Sequence, residues 1–407
     1  MEKIVALLCV CGLGMSFSLL GSISVKLMPR LKIDTAKFGT LISSFMITCL
    51  VASVVVGVLI DTWGHKPFAI IGFIVTAFCI LMIARAKTYG SVLAACLLLG
   101  VGAMCLNNVG NTLMPHVLFG GKNAPAALNL GNVFFGLGLF ITPFIVSFLF
   151  RKISYENAVS VLALIILVPV IFAVLARYPD IKLGFEASTA VKLLVHPAVI
   201  VSGLMLFCYI SMEMSFSNWL PSFGKEVISG AKPDADAGAV DASAQRMLSV
   251  FAVAMMVGRF IASQIPAIKT HGVWFIAVAA LVAGVIILVM TVSKKIGMAW
   301  ILAALAGLAF APCFTTTVGV TFDKFEPTVH GSVFGIIFAV GLLGAVIIPK
   351  AIGNLAKGSS IQKSLKLLVP ACVVLIVLAL ILGKVEARKK AEEPGTPTPA
   401  TVQPESG

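Results

Sequence analysis

Gly57-Val58-Leu59-Ile60-Asp61-Thr62-Trp63-Gly64-His65-Lys66 joins two long apolar runs. Gly57 has no side chain, so two helices can pack closely there. Asp61 closes an apolar run with a carboxylate, which belongs at the water interface. Gly64 suits a very tight turn, because glycine reaches backbone conformations closed to other residues. Lys66 adds a cation on the same side. The run before the segment covers about 38–60 and the run after it about 67–86. Each is close to the roughly 20 apolar residues that a helix needs to cross a bilayer. The segment therefore predicts two membrane helices joined by a turn in water.

The rest of the chain has the same character. Of its 407 residues, 59% are hydrophobic and 12% charged, against roughly 45–50% and 25% in a soluble globule. The mean hydropathy is +1.07. A soluble core of this size could not hide so much apolar surface, so the solvent is lipid. This excludes a cytosolic enzyme, a disulfide-rich secreted scaffold and a nucleic-acid-binding domain. The net charge of +13 is spread as single and paired basic residues between apolar blocks, which is how helix ends are anchored at headgroups. The first apolar run continues past Ser16 to about Lys26. That is too long for a signal-peptide core, so an uncleaved first helix is expected.

Twelve spans are predicted, at about 4–27, 38–60, 67–86, 90–117, 126–150, 157–177, 197–223, 246–267, 272–293, 298–320, 332–350 and 367–386. A polar linker follows the sixth, over 178–196, and a Gly/Ala/Asp-rich loop over 224–245 follows the seventh. The stretch rich in Pro, Thr and Glu at the end should be disordered. The fold class is thus an all-α membrane protein of twelve transmembrane helices in two six-helix halves, 1–178 and 197–386, with a linker at 179–196 and a disordered tail at 387–407. Two such halves place a solute site between them near the midplane.

At the second connection of a twelve-span chain, the Gly57–Lys66 segment resembles the loop motif of the major facilitator superfamily. The resemblance implies that Gly57, Asp61, Gly64 and Lys66 form a cytoplasmic gate and that both termini are cytoplasmic. Thr62 stands where the family usually has a basic residue, which thins the gate's charge network. The second half keeps only a remnant, Gly258-Arg259 and Lys269-Thr270-His271-Gly272. Charge does not help to orient the chain: more Lys and Arg fall on the expected outer side than on the cytoplasmic side, against the usual bias. Two further stretches resemble the fucose/galactose/glucose symporter branch. One is Tyr209, Glu213 and Trp219 in helix seven; the other is Asn129-Leu130-Gly131-Asn132-Val133-Phe134-Phe135-Gly136-Leu137-Gly138 and Pro143 in helix five. The branch uses acidic residues in helices one and four, and this chain has none there.

Apart from Glu386 at the very end of the last predicted span, Glu213 is the only acidic residue inside one, and such a group is functional by default because burying it is costly. It could hold a proton, accept hydrogen bonds from a sugar, or help to bind sodium. Arg259 in helix eight is the candidate partner for an ion pair, and the sequence leaves open whether the two pair. Amides, hydroxyls and aromatics suit a neutral polyol, since amides both donate and accept and rings stack on C–H faces. In the family, helices one, four, seven and ten line the cavity. The substrate-binding candidates on them are Ser18, Asn107, Asn108, Asn111, Tyr209, Glu213, Ser217, Trp219 and Thr315; Glu213 and Arg259 are the ion-coupling candidates. For Asn111, Asn129 and Asn132, hydrogen bonding between helices is the plainer expectation.

His65, His116, His196, His271 and His330 fall near predicted helix ends and read as interface anchors. Neither they nor the nine cysteines have metal-ligand spacing, so no metal or cofactor is expected. There is no GxxxxGK[ST] loop for ATP. The reading is a secondary active transporter of the cell (inner or plasma) membrane, not an enzyme. It moves a small polar solute, foremost a sugar, by alternating access with a proton or sodium ion. Its partners would be that solute, the ion and the lipid bilayer, with no nucleic acid, and it would act as a monomer. The alternatives are an exporter of metabolites or drugs in the same fold and a non-transporting sensor that kept it.

Overall fold

The computed structural model describes residues 1–179 and 187–385. Among them are twelve helices long and apolar enough to cross a membrane. These are α1 (Glu2–Leu31), α2 (Thr35–Trp63), α3 (His65–Arg85), α4 (Tyr89–Val117), α5 (Ala124–Leu149), α6 (Tyr155–Leu175), α7 (Pro197–Ala231), α8 (Ala237–Ser263), α9 (Ile268–Val292), α10 (Ile296–Phe322), α11 (Pro327–Ala356) and α12 (Ile361–Lys384). Each overlaps its predicted span, and no strand occurs among the described residues. In lipid a backbone N–H or C=O finds no water, so each segment must satisfy its own polar groups as a helix. The ends are closed by local side chains. Asp34, Thr88, Asn123, Ser154, Asp236 and Ser360 each accept a hydrogen bond from a first-turn N–H of α2, α4, α5, α6, α8 and α12. Helix α6 breaks at Val168, just before Pro169.

The loop expected over 224–245 is mostly helix. α7 runs on to Ala231 and α8 already begins at Ala237. The membrane ends the apolar pattern but does not end a helix. Alanine favours helix strongly, and Asp236 starts α8 by accepting from Ala239 N at 2.8 Å. Lys225 and Asp241 pair at 2.7 Å across the two extensions. The expected linker contains a short helix, Ala187–Leu194. Part of that linker, 180–186, and the expected tail at 387–407 lie outside the described residues.

The tightest seam between the first six helices and the last six joins α2 to α11. A Cβ placed on Gly57 would overlap the carbonyl oxygen of Gly331, and one on Gly335 would overlap that of Ser53. Ser53 Oγ donates to Gly335 O at 3.2 Å. At the end of the seam Asp61 accepts from Gly331 N at 2.8 Å and from Ser332 N at 2.6 Å. Those N–H groups are among the unpaired donors at the start of a helix, where the dipole also favours an anion. Asp61 is thus a cap supplied to α11 by α2. Lys66 is exposed, and none of the described ion pairs involves Lys66 or Asp61. The expected cation lock is replaced by a carboxylate on a helix terminus. Gly64 is the single residue between α2 and α3, with φ +81° and ψ 174°.

Three of the histidines expected at the membrane interface, His65, His116 and His330, also gather here. His65 and His330 are buried. His65 Nε2 lies 3.0 Å from Thr112 Oγ1, His330 stacks on Phe322 at 4.2 Å and His116 on His330 at 5.5 Å. A second cross-link joins α5 to α10: Thr315 Oγ1 donates to Asn129 Oδ1 at 2.6 Å and Asn129 Nδ2 to Thr316 Oγ1 at 3.3 Å. At the opposite end of α11, Trp219 Nε1 on α7 donates to Pro349 O at 2.9 Å. Glu226 on α7 accepts from Ile361 N and Gln362 N at 2.8 and 2.9 Å.

Two outcomes are expected. Gly64→Ala places a side chain where essentially only glycine sits and costs about 1–3 kcal/mol, read as a lower melting temperature in detergent. Asp61→Ala removes the cap, worth about 0.5–2 kcal/mol, and so raises the open fraction of the α2–α11 seam roughly 2- to 30-fold. The maleimide labelling rate of a Ser53→Cys reporter, with and without Asp61→Ala, reads that change. Equal rates would remove Asp61 from the seam's closure.

Candidate functional site

Tyr209 and Glu213 lie four residues apart on α7 and therefore share one face. That face meets Arg259 of α8. Arg259 Nη2 is 3.4 Å from Glu213 Oε1, with side-chain exposures of 4% and 13% for the two residues. The same Nη2 donates to Tyr209 Oη at 3.3 Å. Nη1 donates to Asn132 O on α5 at 3.3 Å, and Nε to Ala311 O on α10 at 3.4 Å. The guanidinium thus spends its planar fork on three other helices, three times on neutral oxygens and once on a carboxylate. Removing one partner of such a buried pair leaves an uncompensated charge, at a cost of about 3–5 kcal/mol.

From Asn132 a chain of amides runs into α4. Asn132 Nδ2 donates to Asn111 Oδ1 at 3.0 Å, and Asn111 Nδ2 to Asn107 Oδ1 at 2.9 Å. Asn107, Asn132, Glu213 and Arg259 are the polar members of a small cavity at the centre of the bundle, of about 50 Å³. Its other walls are apolar: the rings of Phe17, Phe135, Phe314 and Phe338, with Leu13, Ile210, Met214 and Leu342. A larger vestibule of about 300 Å³ shares Phe135, Glu213 and Arg259 with it. The vestibule runs between α5 and α8, past Leu139, Phe140 and Phe144 on one side and Leu248 and Ser249 on the other. Those residues lie toward the helix ends away from Asp61. The Glu213–Arg259 pair therefore sits where the two spaces meet.

The sequence-derived candidates divide by place. Asn107, Glu213 and Arg259 face the central cavity, and Ser217 faces the vestibule. Tyr209 and Asn111 are buried and touch the pair or its amide chain. Asn108 donates to Ser53 O, joining α4 to α2 within the first six helices, and Thr315 donates to Asn129 Oδ1 across the two sets. Ser18 bonds to Ser22 within α1 at 3.2 Å. Trp219, read as a stacking surface for a sugar, instead turns toward α11, where its indole ring covers Gly353. Its ring N–H needed a partner and found the carbonyl that Pro349 presents. Gly57, Asp61 and Gly64 form the α2–α11 seam and its turn, with Lys66 on the adjacent surface. Phe17, Phe135, Phe314 and Phe338 were missed as cavity walls. Among 27 phenylalanines nothing in the sequence marks these four.

Comparison with known proteins fits this architecture. The family model of the Major Facilitator Superfamily matches residues 6–349. No curated protein sequence matches the chain. Among solved structures, the major facilitator transporter FucP in its outward conformation shares 16% identity at a TM-score of 0.74, over 95% of this chain and 100% of that one. A variant of the E. coli fucose:proton symporter FucP shares 17% at 0.72, over 95% and 100%. The human organic anion transporter MFSD10 (TETRAN) shares 15% at 0.65, over 93% and 98%. At these identities the likeness is one of fold. With twelve apolar helices and a family model over most of its length, the chain belongs to the major facilitator superfamily and is an integral membrane transporter.

Proposed function

We propose that this chain is a secondary active transporter that moves a small polar solute, a sugar, together with a proton by alternating access. The buried Glu213–Arg259 pair at the end of the vestibule carries the reading. Among the described residues Glu213 is the one carboxylate lining the cavity, so protonation there changes the charge that the solute meets. A proton fits better than sodium, because a second cation beside Arg259 is repelled while a proton simply neutralises Glu213. The amides of Asn107 and Asn132 and the four rings supply the hydrogen bonds and C–H stacking that a sugar needs. FucP, which has a similar fold, is described as a fucose:proton symporter. The acidic residues that its branch uses in helices one and four are absent here, which leaves coupling to Glu213.

In this reading the Asp61 seam is the cytoplasmic gate and is closed, while the vestibule opens outward. Both termini then lie in the cytoplasm and the membrane is the inner or plasma membrane. Residues 1–178 and 197–386 rock as two units about the central cavity, and one chain suffices as a monomer. The test is uptake of labelled hexoses into proteoliposomes under a proton gradient, a sodium gradient, or neither. Glu213→Gln is expected to abolish accumulation against a gradient and to spare counterflow exchange. Unchanged accumulation in that variant would overturn the coupling role. Absence of uptake under every gradient, from folded protein, would favour the exporter.

A further inference from the structure

The walls of the central cavity and vestibule carry two charges among the described residues, Glu213 and Arg259. They sum to zero. Arg259 is 3% exposed and keeps its proton in any protein environment. Its contacts other than Glu213 are the Tyr209 hydroxyl and the carbonyls of Asn132 and Ala311, all neutral. The titratable groups facing Glu213 are Tyr209 on α7, Arg259 on α8 and Cys313 on α10. The residues that α1, α4, α5 and α11 bring to the cavity are apolar or amide. Among the described residues no second carboxylate stands ready to take over when Glu213 is protonated.

A proton on Glu213 therefore leaves the cavity at +1, with the guanidinium stripped of its only anionic partner. A neutral solute does nothing for that charge. A carboxylate does: its two oxygens match the fork of the guanidinium and return the loaded cavity to zero. The empty cavity is also at zero. The forms with a proton alone, or an anion alone, hold an unpaired buried charge and are penalised on closing. Electrostatics by itself then couples the two ligands.

We propose that the solute is a monoanionic carboxylate carrying hydroxyl groups, a sugar acid, bound through its carboxylate to Arg259 while Glu213 holds the proton. The inference rests on the reading of Glu213 as the coupling site and narrows the solute from a sugar to its acid. The step balances. One proton from the outer solution goes to Glu213 Oε1, which leaves Arg259 Nη2, and the solute carboxylate takes that donor. On the other side the proton leaves, Glu213 reclaims Nη2, and the solute departs. One proton and one monoanion cross, with no net charge moved.

The test uses the full chain in proteoliposomes loaded with a pH-sensitive dye. D-glucuronate, D-gluconate and D-glucose are added outside in turn. Acidification of the interior with either acid and not with glucose is expected, at a rate unchanged by an imposed potassium diffusion potential. In a thermal-shift titration, Glu213→Gln should bind D-glucuronate about tenfold or more tightly than the wild type at alkaline pH, since Arg259 is then permanently free for a charge-assisted hydrogen bond. Acidification with glucose and not with the acids would overturn the sugar-acid assignment and leave proton symport standing. Acid uptake accelerated by an inside-negative potential would overturn the electroneutral step. No acidification with any of the three, from protein with a cooperative melting transition, would overturn both this inference and the coupling reading beneath it.

Discussion

Hydrocarbon offers no partner to a polar group, and the rest of the structure follows from that constraint. The backbone answers it by closing every span as a helix. Side chains answer it by finding one another. Arg259 reaches carbonyls on α5 and α10 as well as Glu213 and Tyr209, Asn132 reaches Asn111, and Asn129 reaches Thr315 and Thr316. These contacts are specific because the alternative, an unpaired polar group in a low dielectric, is so costly. They also set the depth at which each helix sits against its neighbours.

The same constraint gives α11 its two different ends. Near Gly331 it is held to α2 by close backbone contact and by the Asp61 carboxylate. Near Pro349 it is held to α7 by Trp219, while Glu226 of α7 caps the start of α12. The first attachment joins different sets of six helices and the second joins members of one set. Opening the Asp61 end parts two N–H···O bonds, the Ser53 bond, the glycine contacts and the His116–His330 stack. The α7–α11 attachment can persist through that motion. A seam of small residues with one charged cap suits reversible closure, since it buries little that is hard to release.

Much of the fold was legible in the sequence. Twelve apolar runs of spanning length are a direct consequence of bilayer thickness, so the number of helices and their approximate bounds could be read. The ends of α7 and α8 could not, because periodicity and hydropathy report the lipid boundary, whereas Ala231 and Ala237 are placed by helix propensity and capping in water. Glu213 and Arg259 stood out as ions in apolar surroundings, and the tertiary structure decided that they pair. Trp219 was misleading: a tryptophan near a carboxylate looks like a stacking surface, but its direction depends on which carbonyl is near enough to accept its N–H. The histidines at the seam misled for a similar reason, since nearness to a helix end does not tell whether that end is buried by another helix.

By itself the sequence determined that the chain must live in a membrane as twelve helices, that a tight turn at Gly64 follows Asp61, and that one acid and one base lie deep in the bilayer. These are properties of composition and spacing. Tertiary structure alone decided that Asp61 caps α11 instead of pairing with Lys66, that Asn107 faces the cavity while Asn108 and Thr315 hold the helices together, and that four phenylalanines wall the site. Neighbouring residues on a helix point about 100° apart. Whether one meets the cavity or another helix depends on how the helices rotate and cross, and contacts between residues far apart in sequence fix that.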